Sequence, residues 1–329
     1  MSDTLVKAIR LHEHGGPEVL RVEDVSLAAP GPKEVTIRHH AVGLNYIDTY
    51  FRSGLYPHAL PHGLGFEAAG VVQAVGAEVK HLKVGDRVAY GQSPIGAYAE
   101  AHNVPAAQVV KLPKGVSFEE GAALMLKGLT VQYLFRQTYR LQGDETILFH
   151  AAAGGVGLLA CQWARALGVK LIGTVSSPEK AAIARENGAW ETIDYSRENV
   201  AERVLELTQG KKVPVVYDGV GKDTWETSLD CISPRGLMVS FGNSSGSVTG
   251  VNIAQLNQKG CLYVTRPSLG LHVNTHEKLT AAADEMFDLV AKKKIQVRID
   301  QRYALQDVAK AHVALESRKT TGATVLSLD

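Results

Sequence analysis

Residues 150–168, HAAAGGVGLLACQWARALG, constrain this chain more than any other stretch. The glycines at 154, 155 and 157 fall between an apolar strand pattern, TILFHA, and a long apolar helix pattern. The turn reads Ala152-x-Gly154-x-x-Gly157, a GxGxxG whose first glycine is replaced by alanine. In such a turn Gly154 lets a phosphate approach the backbone, and Gly157 lets helix and strand pack closely. The helix N-terminus adds N–H donors and a partial positive charge. Taken alone the pattern is weak, and a plain strand-to-helix turn explains it about as well.

Its surroundings decide the matter. From Phe118 onward, near-continuous apolar strands alternate with amphipathic helices. ETILFH is followed by VGLLACQWARAL, KLIGTV by PEKAAIARENG, and ETIDY by VAERVLELTQ. VPVVYDGV leads to DTWETSLDCI, GLMVSFGN to IAQLNQKG, and CLYVT closes the series. Strands of this kind belong to a parallel sheet covered on both faces, and six of them predict the doubly wound dinucleotide fold. Residues 1 to about 115 differ: LVKAIRLH, VLRVEDV, EVTIRHHAVGLN, AAGVVQAVG, DRVAYG and VVKLP are short strands cut by Gly and Pro. After CLYVT come two helices, HEKLTAAADEMFDLVAKKK and QDVAKAHVALES, and a strand, ATVLSL, which do not extend the alternation. The tail is therefore expected to complete the β-rich part. The expected domains are residues 1–124 with 271–329, and an inserted nucleotide-binding domain, 125–270.

The second strand of the alternating region ends in Thr174-Val175-Ser176-Ser177-Pro178-Glu179-Lys180. An NAD-binding domain usually carries Asp or Glu at this tip, to hold the ribose hydroxyls. Here small hydroxyls leave room for a 2′-phosphate and Lys180 can neutralise it, with Glu179 expected to point away. Lysines are more often simply solvated, but the missing acid favours NADPH.

Composition narrows the class. The chain has 329 residues, a formal net charge of +1, 45% hydrophobic and 21% charged residues, so no basic surface for nucleic acid is expected. Three cysteines, with no CxxC pair, argue against a disulfide framework or a cysteine zinc lobe. The first residues lack a signal-peptide core, and no apolar run approaches the ~20 residues of a membrane span. A cytoplasmic protein is expected.

Several stretches together resemble the medium-chain dehydrogenase/reductases, along nearly the whole chain. They are HGGPEVL (14–20), GLNYIDTYFRSGLYP (43–57), GLGFEAAGVV (63–72), VGDRVAY (84–90), LKGLTVQYL (126–134), HAAAGGVG (150–157), VYDGVG (216–221), GLMVSFGNSSG (236–246) and VTRPSL (264–269). Within that superfamily the chain is most similar to the zinc-free, NADPH-dependent quinone oxidoreductases related to zeta-crystallin. The resemblance implies an α/β chain: a GroES-like β-rich catalytic domain with an inserted Rossmann domain, an active site in the cleft between them, and a homodimer. Zinc-dependent relatives have a cysteine where this chain has Asn45 and a His-Glu pair where it has Phe66-Glu67. A catalytic zinc needs about three protein ligands, so no metal is expected.

The resemblance also implies site residues. Asn45, Tyr50 and Tyr56 fall in the substrate pocket, with Tyr46 beside the cofactor. Thr130 and Tyr133 sit on the helix that crosses between domains. Gly154, Gly155, Val156 and Gly157 form the pyrophosphate turn, and Ser176, Ser177, Lys180 and Tyr195 the adenosine end. Gly219, Phe241, Gly242, Asn243 and Ser244 line the nicotinamide side, Gly219 standing where some relatives have serine. Arg318 reaches the cofactor from the tail. For Tyr133 and Tyr195 ordinary packing is the plainer reading. The polar tips of Asn45 and Tyr50 in an apolar segment favour a pocket role in their own right.

The expected activity is NADPH-dependent reduction of a quinone, with neutral donors such as Tyr50 or Asn45 facing the oxygen that gains charge. Reduction of the C=C bond of enals and enones is the alternative. A nucleotide-bound structural or RNA-associating protein with little turnover is the reading from another class, and the near-neutral charge weighs against it.

Overall fold

The structure, a computed structural model, describes residues 4–92 and 94–328. The chain divides into two compact units. One comprises residues up to Leu129, Val273–Ala291 and those from Val297 on; the other comprises Thr130–His272 and Lys292–Gln296.

The first part of the chain forms β1 (Thr4–Leu11), β2 (Arg21–Leu27), β3 (Glu34–Leu44), α1 (Tyr46–Arg52), β4 (His62–Gly63), β5 (Glu67–Val75), β6 (Arg87–Tyr90), β7 (Ala101–Pro105), β8 (Val110–Lys111) and α2 (Phe118–Tyr133). A three-stranded sheet has the order β2-β1-β4. Strand β3 pairs with both β5 and β7, which explains why it is buried at most positions rather than alternating. Around it Ile9, Leu11, Val35, Ile37, Val42, Val72 and Tyr98 build one core. The apolar run that begins at Phe118 does not stay α-helical throughout. After Tyr133 it widens into a short π-helical turn, Leu134–Thr138.

The second unit contains β9 (Thr146–Phe149), α3 (Gly155–Leu167), β10 (Lys170–Val175), α4 (Pro178–Glu186), β11 (Glu191–Asp194), α5 (Val200–Leu207), β12 (Val213–Asp218), α6 (Trp225–Cys231), β13 (Ile232–Ser240), α7 (Ala254–Gln258), β14 (Tyr263–Thr265) and α8 (Leu269–His272). All six strands are parallel, in the order β11-β10-β9-β12-β13-β14. The order reverses between β9 and β12. Ligands of open parallel sheets bind beyond the carboxyl ends of the strands at such a switch point, and the glycine turn follows β9 directly.

The tail adds α9 (His276–Ala291), β15 (Ile299–Ala304), α10 (Val308–Glu316) and β16 (Ala323–Ser327). Strand β16 lies antiparallel to β3, in a sheet of order β15-β16-β3-β5-β6-β8. Strand β15 has no counterpart in the sequence reading. It is a sheet edge, half exposed along its length, and IDQRYA lacks the apolar content that marks a covered strand. Among the described residues no helix is long and apolar enough to cross a membrane.

Candidate active site

The turn after β9 shows which of its glycines the fold itself requires. A Cβ on Gly157 would lie 2.4 Å from the Ala151 carbonyl oxygen and 2.7 Å from two backbone atoms of Ala152, so only glycine fits. A Cβ on Gly154 would meet nothing nearer than the Ala151 oxygen at 3.4 Å. Packing therefore does not demand glycine at 154. The space beside it is what an approaching phosphate would use, at the N-terminus of the 13-residue helix α3. The alanine at 152 is accommodated from the neighbouring strand: a Cβ on Gly173 would sit 2.5 Å from the Ala152 Cβ, so glycine in β10 makes the room. Ala151 takes up the sharp bend with φ of 56°, a left-handed conformation unusual for a residue with a Cβ.

A buried chain of hydrogen bonds fixes this turn to β10 and to the loop after β12. The Asp218 carboxylate, at the end of β12, is fully buried. It accepts from the backbone N–H groups of Val220 (2.7 Å) and Gly221 (3.0 Å), and from the hydroxyls of Thr224 (2.7 Å) and Ser228 (2.8 Å). Because Ser228 donates to Asp218, it accepts from His150 Nε2, at 2.9 Å. His150 Nδ1 is then the acceptor for the Thr174 hydroxyl, at 3.0 Å. Burial holds His150 below the usual imidazole range, which keeps it neutral in this role.

Gly219 and residues 241–244 come together just beyond. A Cβ on Gly242 would lie 2.3 Å from the Gly219 carbonyl oxygen, and one on Gly219 would press on the Phe241 ring at 3.0 Å. A serine at 219 would displace that ring, a local reason for glycine here. The Ser244 N–H donates to Gly219 O at 3.3 Å, and Arg266 Nη1 donates to Gly242 O at 3.1 Å and Ser240 O at 2.9 Å. Arg266, inside the VTRPSL motif, was not singled out from the sequence.

At the tip of β10, Ser176 and Lys180 are half buried, and Tyr195 joins them through its N–H to Val175 O at 3.1 Å. Ser177 has a structural task. It caps α4, its hydroxyl oxygen accepting from Lys180 N at 3.3 Å. Its hydroxyl also hydrogen-bonds the Glu179 carboxylate and holds that group below the ordinary range. Glu179 is thus turned back onto its own helix. Tyr133 is buried and stacks on His272 with ring centroids 4.6 Å apart, and Thr130 is half buried one turn earlier.

In the first unit, α1 gathers the remaining candidates. The rings of Tyr46, Tyr50 and Tyr56 form a row, with centroids 5.9 and 5.2 Å apart. Tyr46 neighbours Glu316, Arg318 and Arg52, whose charges act on its hydroxyl beside the larger effect of burial. Asn45 caps α1, and Asp48 accepts the Asn45 backbone N–H at 2.8 Å. The Asp48 carboxyl is fully buried, and burial pushes it up to about 7 against the lowering effect of the Tyr98 hydroxyl, which donates to it at 2.7 Å. Behind it, Arg52 grips Glu316 with two N–H groups, at 2.7 and 2.9 Å.

The Asn45 side chain is buried and anchored within the protein. Its amide donates to Glu67 Oε2 at 2.7 Å, so that N–H already has a partner. Glu67 is fully buried and also accepts from Lys127 Nζ at 3.0 Å and from the Leu126 N–H at 2.7 Å. A zinc ion does not fit this donor set. The one carboxylate is held by an ammonium and two N–H donors, Phe66 and Asn45 stand at the other ligand positions, and all three cysteines lie in the other unit. Neither Lys127 nor Asp218 was anticipated, although each left a trace: a lone cation in ALMLKGLTV, and a lone acid ending VPVVYD.

Residues 31–114 match the family described as alcohol dehydrogenase GroES-like domain, and residues 155–294 the family described as zinc-binding dehydrogenase. A quinone oxidoreductase of Pseudomonas aeruginosa is 65% identical over 323 residues, covering 98% of this chain and 99% of that one. A 2-haloacrylate reductase of a Burkholderia species is 40% identical, covering 98% and 99%. The crystal structure of Escherichia coli quinone oxidoreductase complexed with NADPH superimposes with a TM-score of 0.97 at 57% identity, covering 98% of this chain and 100% of that one.

Proposed function

The chain belongs to the quinone oxidoreductase family of the medium-chain dehydrogenase/reductases, and from that membership we infer an enzyme that oxidises NADPH and reduces a quinone. The observation that carries the reading is the turn at the switch point, where Gly154 is free of any packing demand for glycine. The backbone N–H groups of Gly155 and Val156 bind the pyrophosphate, and Ser176, Ser177, Lys180 and Tyr195 bind the adenosine end. Gly219, Phe241, Gly242, Asn243 and Ser244 bind the nicotinamide side. Tyr46, Thr130, Tyr133 and Arg318 add further cofactor contacts. NADPH, when bound, supplies the hydride. Asn45, Tyr50 and Tyr56 line the acceptor pocket, and the Tyr50 hydroxyl or the Asn45 amide faces the oxygen that gains charge.

Metal plays no part, since the ammonium at Glu67 occupies the carboxylate that a zinc ion would require. The deciding experiment follows NADPH oxidation against quinones, enones and aldehydes in parallel, with and without a chelator. Fast quinone turnover unaffected by chelation is expected. No turnover with any quinone would overturn the reading. Similarity to a 2-haloacrylate reductase favours an activated C=C bond as the second substrate class, and the enone arm measures it.

Lys180→Ala should raise the KM for NADPH roughly ten- to a hundredfold, since a charge-assisted phosphate contact contributes ~1.5–3 kcal/mol. The KM for NADH should hardly change, and equal shifts for both cofactors would refute the assignment. For Tyr50→Phe we expect kcat to fall roughly tenfold with quinones and further with enones, less than the ~3 kcal/mol that one oxyanion donor can supply. Unchanged rates with every acceptor would reduce Tyr50 to packing.

The protein acts in the cytoplasm as a homodimer. Strand β14 ends its sheet, with Tyr263 62% and Val264 40% exposed, and an apolar, unpaired edge invites a symmetric partner. Sedimentation should show a dimer at micromolar concentration, and a monomer once Val264 is replaced by proline. A wild type that sediments only as monomer would count against this assembly.

A further inference from the structure

Lys127 sits on α2 in the otherwise apolar run ALMLKGLTV, and its side chain is only 7% exposed. A buried cation is costly, and two apolar side chains would usually serve stability as well as an ion pair does. The chain nevertheless shapes three elements around this one. Gly43, near the end of β3, leaves the space: a Cβ there would lie 2.4 Å from Glu67 Oε2 and 2.0 Å from the Ala122 carbonyl oxygen. Glu67 opens β5, and α2 supplies both Lys127 and the Leu126 N–H. The Lys127 ammonium and the Asn45 amide end on the same oxygen atom, at 3.0 and 2.7 Å. Whatever Asn45 faces, Lys127 therefore stands next to it. An ammonium has three N–H donors, and Glu67 takes one of them.

We propose that Lys127, held by Glu67 beside Asn45, is a positioning residue that brings positive charge to the acceptor end of the site. This rests on the quinone reductase reading above. Reduction of a quinone by hydride would place negative charge on one oxygen of the acceptor. The ammonium keeps its own proton and favours that charge electrostatically, and solvent supplies the proton that completes the hydroquinone. Glu67 orients the ammonium and the amide together. Asp48 lies close enough for the ammonium to draw its carboxyl downward, against the larger upward effect of burial.

The test separates this role from simple charge pairing. K127M leaves a buried carboxylate without its cation, so a loss of rate there could reflect damage to the fold. E67Q/K127M removes both charges and keeps an acceptor for the Asn45 and Leu126 N–H groups. The double variant should melt at or above the temperature of K127M. Its kcat with a benzoquinone should remain at least tenfold below wild type, and its KM for NADPH should stay within twofold. K127R, which keeps a cation at Glu67, should recover part of the rate. A double variant with wild-type kcat would overturn the proposal. Should the double variant not fold, equal kcat for K127R and K127M would overturn it instead. A wild type inactive with all quinones would refute the function and this role together, whereas an active wild type matched by the double variant refutes only the role.

Discussion

Gly157→Val is expected to weaken NADPH binding at least a hundredfold and to lower the melting temperature as well. The atoms that its Cβ would strike, at 2.4 and 2.7 Å, all belong to the backbone of Ala151 and Ala152. Neither can rotate aside, so the turn and the start of α3 must separate. Overpacking of this kind costs about 1–3 kcal/mol. The misplaced N–H groups add a binding loss of about 3 kcal/mol, which is the hundredfold. Gly154→Ala is the informative companion. Its Cβ meets only the Ala151 oxygen, at 3.4 Å, so this variant should melt like the wild type while binding NADPH more weakly. Fluorescence titration with NADPH and thermal melts of both variants check the pair. Wild-type binding by Gly157→Val would show that this turn does not hold the cofactor.

Asp218→Ala should cause the largest loss of stability among changes outside the hydrophobic core, about 3–5 kcal/mol. That is the scale for removing one partner from a buried charged network. Two backbone N–H groups and the hydroxyls of Thr224 and Ser228 lose their acceptor together. Water cannot replace it easily at a site with no exposure. Through Ser228, His150 and Thr174 the loss also loosens the glycine turn, so NADPH affinity should fall with stability. Asp218→Asn keeps one acceptor oxygen and should lie between. Denaturant midpoints and NADPH titrations measure both effects, and a loss below about 1 kcal/mol would contradict this account.

The nucleotide-binding unit was the most legible part of the chain. Each of its strands is covered on both faces, so burial wrote continuous apolar runs into the sequence, and all six appear in the sheet. Strand β15 was not legible, because an edge strand needs apolar residues on one face at most. The same logic applies to the site. The motif residues 154–157, 219 and 241–244 lie within a few positions of one another or at strand ends, where spacing carries meaning.

Ser177 and Asn45 show the limit. From the sequence both are polar groups near a ligand. In the fold, Ser177 caps α4 and hydrogen-bonds Glu179, while the Asn45 amide is engaged by Glu67, 22 positions away. The partners of Ser177 are its neighbours in sequence, but the partner of Asn45 depends on which distant residue the fold brings to it, and nothing local records that.

By itself, then, the sequence determined the alternation, the six parallel strands, the glycine turn and the missing acid at the tip of β10. These depend on periodicity and on residue types that only local backbone geometry demands. The tertiary structure alone decided how Glu67, Lys127 and Asn45 meet, and how Asp218 is linked through Ser228 of α6 to His150 at the turn after β9. Buried charges and neutral imidazoles are tolerable only when paired, and such pairing is a property of three-dimensional proximity.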